Sequence, residues 1–289
     1  MSTQFSELSR TDAVRSTGED APVVVLAAGE SGRTYGRDLW RYRELALILA
    51  WRDLSVRYKQ TAIGIAWALV RPLATTLILT FVFAHVAGLP SAAPYPLNAL
   101  AGVWPWFLFA SLLADASASL VNNAGLVTKV YFPRLLLPVA AAGVALADFL
   151  VQGAIVALVM AWYRWLPSER ALLLPLFALW VAAAALGPGL ALAALNARYR
   201  DVRFLVPFLV QFGLYVSPVG FASEAVPAHW RFWFAWNPLA GAIDGFRWCL
   251  IGGPSPFPAA APGLVLTVLM FGAGLAYFRA AECAFADII

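Results

Sequence analysis

Between Arg71 and Asp115 lie 43 consecutive residues without an aspartate, glutamate, lysine or arginine. A run of that length is twice the ~20 residues that an α-helix needs to cross a bilayer. Three prolines and a glycine cluster at 88–96, so the run divides there into two spans, 64–87 and 97–121. Four more apolar segments follow at 135–162, 171–195, 204–221 and 263–278. Hydrocarbon offers the backbone no hydrogen bonds, so each span must satisfy its own as a helix. The expected fold is all-α, a polytopic membrane protein with six transmembrane helices. Composition agrees: 62% of residues are hydrophobic, against ~45–50% in a soluble domain.

Lysine and arginine set the orientation. With the N-terminus in the cytoplasm, 15 of them fall on cytoplasmic segments, four on the far side, and Arg71 inside a span. That bias obeys the positive-inside rule, so both termini are expected in the cytoplasm. The net charge of +4 is then a topology signal and implies no nucleic-acid partner. Residues 1–36 read as a polar tail, with no apolar run long enough for a signal peptide. Residues 37–60 read as an amphipathic interface helix, and 61–289 as the six-helix transmembrane domain. In the interface helix, Trp40, Leu47, Trp51, Leu54 and Tyr58 share one stripe at 100° per residue, flanked by Arg37, Arg41, Arg52 and Lys59. Leu45, Leu49 and Val56 form a second apolar face, suited to packing on protein. Arg57 and Lys59 are expected at headgroup level, with Gln60 and Thr61 at the turn into the membrane and Gly64 at the bend.

The chain has no G-x-x-x-x-G-K-[ST] motif, since its only lysines, Lys59 and Lys129, follow Tyr58 and Thr128. It has no P-loop with which to hold ATP. His85 and His229 lack metal-like partners at helical spacing, and Cys249 and Cys283 are far apart. No catalytic residue, metal or resident cofactor is assigned. Three groups carry the functional expectations instead. Arg71, Asp115 and Asp148 are charges inside spans; an unpaired one costs about 3 kcal/mol at the bilayer centre, so Arg71 is expected to face the bundle and contact Asp148 or Asp115. The turn of Lys129, Tyr131, Phe132 and Arg134 joins charge and aromatic bulk on the positive side, which suits a protein partner. The loop 223–253 holds seven Trp and Phe residues. It is expected to dip into the far interface, broken into short pieces at Gly241, Gly245, Gly252 and Pro254.

The stretch DLSVRYKQTAIGIAWALVRPL, from Asp53 to Leu73, resembles the opening of the membrane subunits of bacterial polysaccharide ABC exporters, the O-antigen, capsule and teichoic-acid type of the type-two ABC permease superfamily. KVYFPRLLLPV, LNARYRDVRFLVPFLVQ, SPVGF and WNPLAGAIDGFR match further blocks in order, so the resemblance covers roughly residues 37–280. It implies a homodimeric channel bound to two copies of a separate ABC ATPase, which would supply ATP and Mg. The cargo would be an undecaprenyl-linked polysaccharide, moved from cytoplasm to periplasm across the bacterial inner membrane. It also implies site roles. Arg52, Arg57, Tyr58 and Lys59 would belong to the substrate gate, and Lys129, Tyr131, Phe132 and Arg134 to the ATPase-coupling turn. Trp230, Trp233, Trp236, Phe246 and Trp248 would line the periplasmic mouth, on re-entrant helices between spans five and six. An exporter of lipid or drug substrates in the same superfamily is the closest alternative. An ion-coupled transporter would need repeat-related halves with broken helices, and a membrane enzyme would need clustered carboxylates or a histidine at one face; neither is visible.

Overall fold

The structure, a computed structural model, describes residues 32–59, 66–91, 93–130, 132–282 and 285. The expected tail, the Gln60–Gly64 bend, Tyr131 and Cys283 lie outside those residues, except that a helix already begins at Gly32. All regular elements among the described residues are helical. The N-terminal segment is two helices, α1 (Gly32–Arg41) and α2 (Arg43–Lys59), separated at Tyr42. The first span is α3 (Ala66–Thr80), continued by a π-helical stretch at Phe81–Val86. Next come α4 (Tyr95–Asn122), the one-turn α5 (Ala124–Val127), α6 (Leu136–Trp162), α7 (Leu174–Arg198) and α8 (Val202–Val216). Two short helices, α9 (Ala228–Phe234) and α10 (Ala240–Ile251), precede α11 (Ala261–Ala281).

Among the described residues, five helices are long and apolar enough to cross a membrane: Leu69–Val86, Tyr95–Asn122, Leu136–Trp162, Glu169–Arg198 and Ala261–Ala281. They correspond to five of the six expected spans. The sixth, expected at 204–221, is cut to the 15 residues of α8, about 22 Å of helix against ~30 Å of hydrocarbon. The cause is Pro218. A residue before proline is driven out of the helical region, and Ser217 is extended at φ −96°, ψ 151°. Gly241 and Gly245 do not break the loop helix as expected. Both lie inside α10, where a Cβ would collide with Ala260 and Phe177 respectively. Gly252 ends α10 instead, at φ +74°.

Helix α4 is the central post, packed by α3, α6, α7, α8 and α10, while α11 lies on α7 and α2 on α6. Two apolar cores follow from this. One centres on Trp104, Phe149, Phe246 and Trp180. The other lies towards the α2 end, around Leu120, Phe132, Leu136 and Phe278. Trp104 stacks on Phe149 at 4.5 Å between ring centres, and its indole N–H donates to the Phe149 carbonyl at 2.9 Å. The Trp180 indole donates to Thr267 Oγ1 at 3.0 Å, tying α7 to α11. With no hydrophobic drive between helices in lipid, such bonds and small residues hold a bundle together. Gly187 shows the second device: a Cβ there would lie 2.7 Å from the Phe271 backbone nitrogen. Gly187→Leu is therefore expected to force α7 from α11, at about 1–3 kcal/mol or more. Gly272, with open space around it, is the control. Equal melting temperatures for Gly187→Leu and Gly272→Leu in detergent would refute the close approach.

Candidate functional site

Helix α2 lies on α6 by its smaller apolar face. Ala46 and Leu49 are buried, and Ala50 Cβ sits 3.2 Å from where Gly143 would carry a Cβ. The aromatic stripe turns the other way, leaving Trp40, Leu47 and Trp51 exposed. The two faces read from the sequence divide only in part: Leu49 packs on the protein and Trp40, Leu47 and Trp51 stay outside, but Val56 of the second face is exposed and Tyr58 of the stripe reaches Asp148.

The C-terminal half of α2 is held by charge. Arg52 donates from Nη2 to Asn123 Oδ1 at 2.6 Å and pairs with Asp53. One turn on, Arg57 reaches two carboxylates at once: Nη1 lies 2.6 Å from Asp148 Oδ2 on α6, and Nη2 lies 2.7 Å from Asp115 Oδ2 on α4. The Tyr58 hydroxyl donates to Asp148 Oδ1. Burial first, and then that hydrogen bond, push the Tyr58 hydroxyl well above its ordinary range, so it stays a donor at any physiological pH. Lys59 is exposed.

Depth follows from helix rise. Asp115 stands seven residues before the end of α4 and Asp148 twelve past the start of α6, so the ion cluster lies roughly 10–18 Å inside the bundle's end. Asn123, the partner of Arg52, marks that end. Helix α2 therefore slopes inward along the bundle, from Arg52 at its end to Arg57 beside carboxylates further in. Beside the cluster opens a cleft of about 360 Å³ between α2, α4 and α6, lined by Arg52, Arg57, Asp115, Ser119, Asn122 and Val144 among others.

The pairing expected of Arg71 belongs to Arg57. Arg71 is exposed, five residues past the start of α3, and its two expected partners are held by α2. Depth alone suggested Arg71, but depth does not say which face of a helix a residue occupies. The α3 stretch Leu69–Val86 leaves most of its surface open, whereas α2 lies directly on α6.

At the same end of the bundle, the turn after α5 divides in two. Thr128, Lys129 and Val130 are exposed. Phe132 is not: it is 2% exposed, in the core with Leu120, Leu136 and Phe278. Arg134 also turns inward. Its backbone N–H donates to Glu282 Oε1 at 2.7 Å, and its guanidinium to the Glu282 carbonyl at 3.3 Å, fastening the end of α11. Phe132 therefore offers no side chain to a docking protein, contrary to expectation, and Arg134, half-buried, holds Glu282. Arg198, Tyr199 and Arg200, in the turn from α7 to α8, are exposed, with the Arg198 guanidinium 5.5 Å over the Tyr199 ring. Phe132→Ala is expected to lower melting, as a core truncation costing about 3–5 kcal/mol. Lys129→Ala with Tyr199→Ala is expected to leave melting unchanged. Melting that falls as far for the surface pair as for Phe132→Ala would reverse this division.

At the opposite end, α9 shows Trp230 and Trp233 to the outside, and Trp236 is also exposed. Phe246 and Trp248 do not join them. Phe246 is fully buried, edge-on to Trp104 and Phe149, and Trp248 packs on Phe177 with the Arg170 guanidinium 5.0 Å over its ring. The aromatic loop is thus half surface and half core. Its spacing alone could not separate the halves.

The family model for ABC-2 type transporters matches residues 44–251. The chain is 26% identical over 251 residues to an O-antigen export system permease protein of Klebsiella pneumoniae, covering 85% of this chain and 95% of that one. A protein of the same description from Myxococcus xanthus is 25% identical, over 73% of this chain and 82% of its own. A polysialic acid transport protein of Escherichia coli is 24% identical, over 80% and 91%.

Proposed function

The chain belongs to the ABC-2 type transporter family, and from that premise we propose that it is the channel-forming subunit of an ATP-driven exporter of a lipid-linked polysaccharide. The observation that carries the substrate class is the nearly end-to-end likeness to permeases named for O-antigen and polysialic acid transport. The chain carries no P-loop, so ATP and Mg belong to a separate ATPase, two copies of which serve a homodimer of this subunit. The protein sits in the bacterial inner membrane with both termini in the cytoplasm. The cargo is an undecaprenyl-linked glycan bound for the periplasm.

On this reading the α2 cluster is the gate. Arg52, Arg57 and Lys59 put three cations on the C-terminal half of α2, the kind of surface that draws phosphate headgroups. In the structure the charge of Arg57 is already taken by Asp115 and Asp148. A lipid pyrophosphate entering the neighbouring cleft competes with those carboxylates for the guanidinium. Capture of Arg57 by phosphate releases α2 from α4 and α6, so that cargo binding and gate opening are one exchange of anions. The exposed turn of Lys129 and Val130, with Tyr199 on the neighbouring turn, is the surface offered to the ATPase. The exposed tryptophans of α9 serve the periplasmic mouth, where apolar faces can hold sugar rings weakly enough to release them.

The test is co-purification with the ABC ATPase and reconstitution in liposomes. ATP hydrolysis is expected to rise on adding undecaprenyl-pyrophosphoryl glycan. Stimulation by phospholipid or drugs alone would replace the glycan reading with the lipid or drug one. In cells, removing the ATPase should leave the glycan inside. Normal surface glycan without any second ATPase would end the assignment.

A further inference from the structure

The block SPVGF sits where α8 stops, at the end of the bundle opposite the gate. Pro218 carries no N–H with which to continue the helical ladder, yet the chain stays inside the bundle. A Cβ on Gly102 would collide with the Val219 carbonyl oxygen, and Gly102 stands seven residues past the start of α4, about 10 Å in from that end. Non-helical backbone at membrane depth needs protein partners for its carbonyls. Three side chains from other elements supply them. Asn237 Nδ2 donates to the Val216 carbonyl at 3.3 Å and to Ser217 Oγ at 3.1 Å. Arg247 on α10 donates from Nη2 to the Val219 carbonyl at 2.8 Å, while its Nη1 holds Asp244 at 3.2 Å. The Tyr95 hydroxyl, at the first residue of α4, donates to the Gly220 carbonyl at 2.8 Å. The Phe221 ring follows, 5.9 Å from Phe83 and 6.2 Å from Phe234 between centres. Of the 15 residues of α8, all of them described, Val206 alone is buried. With so little burial of its own, the far end of α8 depends on these bonds for its position.

We propose that Tyr95, Asn237 and Arg247 are positioning residues of transport, a latch that holds the far end of α8 inward and the far mouth shut. The segment they grip leads directly into α9, whose exposed tryptophans serve that mouth, so its position carries theirs. Both sides of the latch are needed. Tyr95 anchors the segment to the central post α4, and Asn237 and Arg247 anchor it to α10 and the turn before it. Parting them frees the segment to swing with α8; re-forming them restores the closed arrangement, as in other two-state elements. The source of the parting force rests on the reading that the turn at Tyr199 faces the ATPase. Helix α8 begins three residues after Tyr199, so a displacement of that turn reaches the latch along one loosely buried helix.

The test uses the full-length permease with its ATPase in nanodiscs, in a Cys249→Ala, Cys283→Ala background. Val219 is 0% exposed, so Val219→Cys reports release of the segment through its rate of labelling by a membrane-impermeant maleimide. Labelling is expected to be slow without nucleotide and faster during ATP turnover. Adding Tyr95→Phe, which removes one hydroxyl and keeps the ring, is expected to speed labelling without nucleotide about fivefold or more and to erase most of the response to ATP. Arg247→Lys keeps a cation for Asp244 but lacks the planar fork that reaches two acceptors, and is expected to act in the same direction. Tyr277→Phe, on the exposed side of α11, is the control and is expected to change nothing. Melting temperatures of each variant separate release from unfolding, because a merely structural Tyr95 would lower melting and leave the ATP response in place. Fast labelling of Val219→Cys from the outset, or labelling indifferent to Tyr95→Phe, would overturn the latch. The two readings fail separately. Labelling that Tyr95→Phe speeds but ATP never changes removes the ATPase contact and keeps the latch; labelling that ATP speeds but Tyr95→Phe does not alter does the reverse.

Discussion

With Asp148 replaced by alanine, the C-terminal half of α2 is expected to come off the bundle, and its amides to exchange with solvent roughly 30-fold faster. Asp148 accepts from Arg57 and from Tyr58, so one substitution strips two anchors. It is also the better buried carboxylate, its side chain 10% exposed against 29% for Asp115. Removing one partner of a buried ion pair costs about 3–5 kcal/mol. The Arg57 side chain is 37% exposed and keeps Asp115, so the figure is discounted to about 2 kcal/mol, a factor of about 30 in the docked-to-undocked ratio. Asp115→Ala is expected to act in the same direction with a smaller effect. Asp148→Asn, which keeps an acceptor for Tyr58, should fall between. Arg71→Ala is expected to leave α2 exchange unchanged, because α2 makes its ion pairs without it. Hydrogen exchange read over residues 43–59 checks all four. If Asp148→Ala leaves those amides as slow as before, the ion cluster is not what holds the helix.

The membrane helices were legible because the bilayer imposes a length and a chemistry that sequence displays directly. The expected boundaries at 97–121 and 135–162 fall within two residues of α4 and α6. The faces were less legible. Whether Phe132 or Lys129 meets a partner, and whether Phe246 or Trp233 is on the surface, depends on which neighbour a helix turns towards. In lipid the usual clue is missing, since both faces of a helix are apolar. The α2 segment is the informative exception. Its two apolar faces were readable, and of the smaller one Leu45 and Leu49 dock while Val56 is exposed. What could not be read was its slope. Arg57 was placed with the headgroups because the chain's next polar residues are there. Its partners are two carboxylates 33 residues apart in sequence, on helices that converge only in the fold. One signal did point that way: Asp115 and Asp148 are acids inside spans, and each needed a cation from some element.

A disulfide between α2 and α6 is expected to stop transport altogether, and to do so reversibly. Ala50 Cβ and a Cβ built on Gly143 are 3.2 Å apart. Disulfide-linked Cβ atoms lie at about 3.5–4.5 Å, so Ala50→Cys with Gly143→Cys needs only a small outward shift. Neither position contributes a side chain to the ion cluster or to the cleft beside it, so the link fixes the helix without altering the groups proposed to form the gate. The background should carry Cys249→Ala and Cys283→Ala, leaving the new pair as the only thiols. In proteoliposomes with the ATPase, oxidation is expected to abolish glycan transport, and dithiothreitol to restore it to the level of either single-cysteine protein. The ion cluster and the disulfide hold the same helix in the same place, but only the first can be opened by an anion. A gate that works by exchanging carboxylate for phosphate at Arg57 must lose all response to lipid-linked glycan once α2 is covalently fixed. ATP hydrolysis without glycan should persist, since the cross-link alters no residue of the exposed turn at Lys129. Full transport by the oxidised, cross-linked protein would show that α2 stays docked through the cycle, and that cargo enters by another face of the bundle.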